Sequence, residues 1–135
     1  MAANLGDILQ KVAAFGVGGW FVENAICGTE RYTSVLRNTK IPFLPVYAAN
    51  GVVFTAAAPY MEKRQWPWLA RGLVYSLLGT GVEWVGCQID RRLLSGSEQM
   101  MRLNPDALLN LSSGCVNFTR GAMWGGMGLV AEKIY

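Results

Sequence analysis

Apolar residues fall into four long stretches separated by polar, turn-rich connections. The first runs from Leu9 to Gly28 and is interrupted by Lys11 and Glu23. The second, Ile41 to Met61, carries no charged residue. Its 21 residues meet the roughly 20-residue requirement for one bilayer crossing. The third, Pro67 to Gln88, contains Arg71 and Glu83, and the fourth, Leu111 to Ala131, contains Arg120. Within these stretches neither a 3.6-residue stripe nor a two-residue alternation dominates. Val12, Ala13, Ala14, Phe15 and Val17 would surround a helix on every side, as a helix immersed in an apolar medium requires. The pattern predicts an all-α fold, a four-helix transmembrane bundle in a single membrane domain over 1–135. Its helices are expected near 9–28, 42–61, 67–92 and 107–131, with a kink at Pro45 or Pro59 in the second.

The connections support that division. Thr29–Tyr32, Glu62–Gln65 and the longer Ser95–Asp106 segment are polar, and Asn104–Pro105 reads as a turn or helix start. Tyr60, Trp66 and Trp68 bracket the second turn, where an aromatic belt at a bilayer surface would lie. A soluble α-helical core is the competing fold, but it would have to hide five tryptophans within 135 residues. Orientation stays open. One side collects Lys11, Lys63, Arg64, Arg71 and Lys133, the other Arg31, Arg37, Lys40, Arg91, Arg92 and Arg102. So even a distribution gives the positive-inside rule nothing to act on.

Composition narrows the function more than it defines it. Apolar residues make up 52% and charged residues 16%, below the roughly 25% usual in soluble domains. The net charge of +3 is spread along the chain without a basic run, so nucleic acid is not an expected partner. The absence of histidine removes the usual general base and the commonest metal ligand, and no metal or cofactor is expected. Cys27, Cys87 and Cys115 lie in apolar stretches and read as small, soft core residues rather than a disulfide framework. The opening Met-Ala-Ala-Asn-Leu-Gly-Asp lacks a basic n-region, so the first apolar stretch is expected to belong to the mature fold.

The first and third stretches match at a constant offset of 60. Lys11 aligns with Arg71, Phe15 with Tyr75, Gly19 with Gly79, Val22 with Val82, Glu23 with Glu83 and Cys27 with Cys87. The second and fourth match more weakly, chiefly through Asn50 and Asn117. Together these suggest a two-plus-two internal repeat, a plan that membrane transporters use. Gly121 and Gly125 form a GxxxG pattern, which permits close helix crossing within a subunit or between subunits, so a homo-oligomer stays open.

Charges inside apolar helices are costly, roughly 2.5–3.5 kcal/mol each on insertion scales, and need partners. Measured from the Thr29 side at ~1.5 Å per residue, Glu23 and Glu83 lie ~5–8 Å deep, Asn117 ~9 Å, and Asn50 and Arg120 ~13 Å. An intramembrane polar cluster of Glu23, Asn50, Glu83, Asn117 and Arg120 is therefore expected, with Arg120 paired to Glu23 or Glu83. It would either form a substrate or ion site or fix helix association.

Several of these runs resemble a known family. Gly-Trp-Phe-Val-Glu-Asn from Gly19, Lys-Ile-Pro-Phe-Leu-Pro-Val-Tyr from Lys40, Arg-Gly-Leu-Val-Tyr-Ser-Leu from Arg71, Glu-Trp-Val-Gly from Glu83 and Asn-Phe-Thr-Arg-Gly-Ala-Met-Trp-Gly-Gly from Asn117 are similar to the small multi-spanning membrane family of type IV ABC-transporter proteins, which includes TMEM-type membrane proteins. The resemblance covers about 11–131 and marks Glu23, Pro45, Glu83, Asn117 and Arg120. A Trp-Asp-Tyr-Ser-like motif expected before the last helix is replaced by Ser-Glu-Gln-Met-Met-Arg-Leu-Asn-Pro-Asp. No phosphate-binding G-x-x-x-x-G-K-[ST] loop accompanies the transporter name.

The expected function is that of a non-catalytic, multi-pass integral membrane protein. It would be a structural subunit of a larger assembly, such as a respiratory or photosynthetic complex or a virion membrane, with the lipid bilayer and other membrane subunits as partners. The alternative is a transporter-like or permeation module using the Glu/Arg/Asn cluster. An intramembrane enzyme with Glu23 and Glu83 as a diacid ranks below both, since no nucleophile–base pair or metal set accompanies them.

Overall fold

The computed structural model describes residues 4–26, 43–93, 115–116 and 118–134, and these are helical apart from short connections. The four helices are α1 (Leu5–Ile26), α2 (Phe43–Lys63), α3 (Trp68–Leu93) and α4 (Phe118–Ile134). The all-α class holds among the described residues. They group into two compact units, 1–59 and 60–135.

Helix ends follow local chemistry that apolar patterning misses. Helix α1 starts at Leu5 rather than near residue 9 because Asn4 caps it: the Gly6 amide donates to Asn4 Oδ1 at 3.2 Å. Asp7 in its first turn adds a favourable charge at the dipole's positive end, and Lys11 pairs with it at 3.0 Å. Pro45 falls in the first turn of α2, where no helical hydrogen bond is lost, and the helix continues through Pro59 to Lys63. It stops where Gln65 takes a left-handed conformation (φ 52°). There the Gln65 amide donates to the Glu62 carbonyl and the Trp66 amide to the Met61 carbonyl, a Schellman ending without the usual glycine. Pro67 then precedes α3. Helix α4 begins at Phe118, not 107: Cys115 and Val116 are non-helical, and Cys115 is bonded to Cys87 of α3. Residues 107–114, Asn104–Pro105 and Cys27 lie outside the described residues.

Among the described residues no helix is long and apolar enough to cross a membrane. The uncharged second stretch, expected to span, does not reach that apolarity as α2, where Pro45, Asn50, Gly51, Thr55 and Pro59 dilute it.

In the first unit α1 and α2 run antiparallel through a seam of small residues. A Cβ at Gly19 would overlap the Tyr47 ring, and one at Gly51 would press on Phe15. Gly16 faces Ala48. Phe15 also meets Phe54 edge-on, with ring centroids 5.3 Å apart.

The second unit repeats this arrangement with larger knobs. Gly79 accepts the Trp124 indole, Gly128 accepts the Tyr75 ring, and Gly125 lies against Ser76 and the Gly72 carbonyl. The Ser76 hydroxyl donates to the Gly121 carbonyl at 2.6 Å. Gly121 and Gly125 therefore serve the α3–α4 seam inside the subunit. Phe15 and Tyr75, like Gly19 and Gly79, differ by 60 positions; Tyr47 and Trp124, like Gly51 and Gly128, differ by 77. That second offset replaces the 67 implied by aligning Asn50 with Asn117.

Apart from Val22 and Val82, the residues that match at 60 are spaced four apart along the chain. In α3 the row is Arg71, Tyr75, Gly79, Glu83 and Cys87, and the structure turns it toward α4. A second i+4 row on α3, Leu69, Leu73, Leu77, Val85 and Ile89, is exposed, with Leu77 at 73%. Helix α1 exposes the corresponding Leu9, Val17 and Phe21.

Candidate functional site

Ionisable side chains of α3 and α4 meet in two places along the seam. At the first, Glu83 is 1% exposed and receives two donors from α4. The Arg120 guanidinium donates to Glu83 Oε1, and Trp124 Nε1 donates to Oε2 at 2.9 Å. Arg120 and Trp124 are one helical turn apart, which places both over the same stretch of α3. Both carboxylate oxygens are thereby engaged, one by a charge-assisted bond and one by a neutral donor.

The second lies three turns away, near the Gln65 turn. Arg71 Nη1 reaches Glu132 Oε2 at 3.0 Å, and the Tyr75 hydroxyl donates to Glu132 Oε1 at 2.7 Å. The side chain of Glu132 is 4% exposed. Arg71 and Glu83 are 12 residues apart, ~18 Å along the helix, so the two clusters are separate. Between them the seam is lined by Gly72, Ser76, Gly79, Gly125 and Gly128, and a Cβ at Gly79, Gly125 or Gly128 would collide with the facing helix.

Compared with known proteins, the chain matches no family model, no curated protein and no solved structure. The site therefore rests on its own geometry.

Of the five polar residues expected to converge, Glu83 and Arg120 do so. The Glu23 side chain and Asn117 lie outside the described residues. Asn50 belongs to the first unit and is fully buried. Its chain neighbour Gly51 lies against Phe15. Neither atom of the Asn50 amide has a hydrogen-bond partner among the described residues. Thr55 Oγ1 and Arg71 Nε are likewise buried without one.

Trp124, Tyr75, Arg71 and Glu132 were not expected in any cluster. The signal for Trp124 was its one-turn spacing from Arg120. Arg71, Tyr75 and Glu83 share one i+4 row, so a charge at Glu83 implied that the whole row faces a partner helix. Glu132 follows, because it continues the α4 row of Arg120, Trp124 and Gly128.

The cysteines also require correction. Cys87 and Cys115 are fully buried and joined in a disulfide, with Cα atoms 5.7 Å apart. Reading them as isolated core thiols overlooked that residue 87 ends the inward row of α3, where the chain entering α4 arrives. Among the described residues no group of His, Cys, Asp or Glu has the arrangement of a metal site.

Proposed function

We propose that this chain is a non-catalytic, multi-spanning membrane protein that serves as a structural subunit of a larger membrane assembly, its two helix pairs forming a two-plus-two repeat. The observation that carries this reading is the inverted polarity of α3: Glu83 is 1% exposed, whereas Leu73 and Leu77 are 67% and 73% exposed. A soluble monomer seldom exposes so long an apolar row. Mean helix apolarity understates the outer surface here, because Arg71, Glu83, Arg120 and Glu132 are paired on inner faces. A hairpin that hides its charges in this way presents a more apolar exterior than either helix taken singly.

The structural role is favoured over chemistry because the charged side chains of the seam bond one another. Glu83 is satisfied by Arg120 and Trp124, and Glu132 by Arg71 and Tyr75. Such clusters fix register and partner choice at some expense of stability. The repeat is supported by the paired aromatic-into-glycine contacts, which recur at constant offsets in both units. Transporter-like permeation is the second reading, favoured by one observation: the buried amide of Asn50, which has no hydrogen-bond partner among the described residues.

Alkaline carbonate extraction followed by mild-detergent purification tests the proposal. The chain should remain in the membrane pellet and then elute with larger partners. Recovery in the carbonate supernatant would remove the membrane reading. A homogeneous small homo-oligomer that conducts ions in liposomes would replace the structural role with permeation.

A further inference from the structure

Charge does not orient the α3–α4 pair. Lys63, Arg64 and Lys133 lie at the end bearing the Gln65 turn, and Arg91 and Arg92 lie at the other. The disulfide supplies the missing asymmetry. Cys87 is six residues, ~9 Å, from the end of α3 at Leu93, and 19 residues, ~28 Å, from its start at Trp68. The bond thus belongs to one end of the pair. Disulfides persist in oxidising compartments and are rare where glutathione and thioredoxin keep thiols reduced.

We infer that the end of the α3–α4 pair carrying Cys87–Cys115 faces an oxidising compartment, and that the opposite end, with the basic and aromatic turn at Tyr60–Trp68, faces the reducing side. The inference rests on the membrane reading proposed above, and it supplies the orientation that counting lysines and arginines leaves undecided. The turn end suits a bilayer surface. Arg64 lies over the Tyr60 ring at 4.3 Å, Trp66 meets the same ring edge-on, and Trp68 is exposed. Amphipathic rings beside exposed cations are the usual furniture of such an interface.

The same geometry implies a preceding reaction. Closing the bond removes two protons and two electrons from the Cys87 and Cys115 thiols. By thiol–disulfide exchange, an oxidised dithiol oxidoreductase on that side accepts them, its own disulfide opening to two thiols. The bond then holds the chain entering α4 against α3 five residues before Arg120, which sets the register in which Arg120 meets Glu83.

The test uses the full chain in its own membranes, as wild type and as Cys27→Ser. Accessible thiols are blocked with N-ethylmaleimide, the sample is dissolved in SDS with or without a phosphine reductant, and a polyethylene-glycol maleimide is added. Cys27→Ser should show no mass shift without reductant and two additions with it; the wild type should gain the same two on reduction. In sealed vesicles of known sidedness, Lys63→Cys in the Cys27→Ser background should react with an impermeant maleimide only from the reducing face, and Arg64→Cys should repeat that result. Two additions without reductant, from a chain that stays in the carbonate pellet, would overturn the disulfide inference alone. Labelling of both turn variants from the oxidising face would overturn the orientation. Release of the chain by carbonate would instead defeat the membrane reading, and the orientation with it.

Discussion

Arg120 and Trp124 address opposite oxygens of a single buried carboxylate, so each side chain's value depends on the others. Replacing Arg120 with Met strands the Glu83 charge and is expected to cost about 3–5 kcal/mol. Replacing Glu83 with Leu at the same time should recover most of that loss. Trp124→Phe keeps the knob in the Gly79 hole but removes one donor, and should cost about 1–3 kcal/mol. Denaturant titration of the detergent-solubilised chain through the double-mutant cycle reads these values; additive losses for Arg120 and Glu83 would show that the pair is not coupled. Asn50 is the opposite case. Its buried amide has no partner among the described residues, so Asn50→Leu should leave thermal stability unchanged or raise it. A clear fall in stability would mean that the amide is bonded after all, which would remove the observation that favours permeation. Sequence alone brought out Glu83 and Arg120 because an uncompensated charge in an apolar helix demands a partner. It missed Glu132 because that residue sits near the end of an apolar stretch, where a charge demands nothing.

Helix packing depends on where glycine occurs in a row, not on how many glycines there are. Gly79 and Gly81 are two residues apart in α3, yet a Cβ at 79 would overlap the Trp124 indole, whereas one at 81 would meet open space. Gly79→Val should therefore pry α3 from α4 and lower the melting temperature sharply, while Gly81→Ala should be neutral or stabilising by up to about 1 kcal/mol through helix propensity. Gly128 and Gly126 form the same contrast in α4. Circular dichroism melts of the two variants check this, and equal losses at 79 and 81 would contradict the seam. The offset of 60 was visible in sequence because the matching residues are the contact row itself: Phe15 and Tyr75 are both aromatic knobs, and Gly19 and Gly79 are both holes. The offset of 77 was hidden because the α2 and α4 rows share little chemistry. Tyr47 corresponds to Trp124 and Gly51 to Gly128, but Asn50 corresponds to Met127 and Phe43 to Arg120. Helix starts were legible only where apolarity changes. The Asn4 cap extends α1 into polar sequence, and α4 starts only after Cys115 and Val116, which patterning had assigned to it.

For the molecule as a whole, the proposed membrane setting makes a prediction about its tryptophans that no soluble arrangement shares. Trp84 and Trp68 are exposed on α3, 43% and 63%, whereas Trp124 is 1% exposed inside the seam. Helix α3 has 26 residues and is therefore ~39 Å long, against a hydrocarbon core of about 30 Å. If the pair crosses a bilayer, Trp68 at its start lies at one surface, and Trp84, 16 positions further on, lies ~24 Å deeper, within the hydrocarbon on the far side of its midplane. Single-tryptophan variants in liposomes of phospholipids brominated at defined acyl positions distinguish these sites. Trp68 should be quenched best by bromines near the headgroup. Trp84 should respond to bromines deeper in the chain, and Trp124 should be shielded at every depth by the α3–α4 contact. Equal, weak quenching at all three would mean that the apolar rows of α3 are covered by protein rather than lipid. The chain would then be a subunit core hidden by its neighbours, and the rows Leu69–Leu73–Leu77 and Val85–Ile89 would be the surfaces those neighbours occupy.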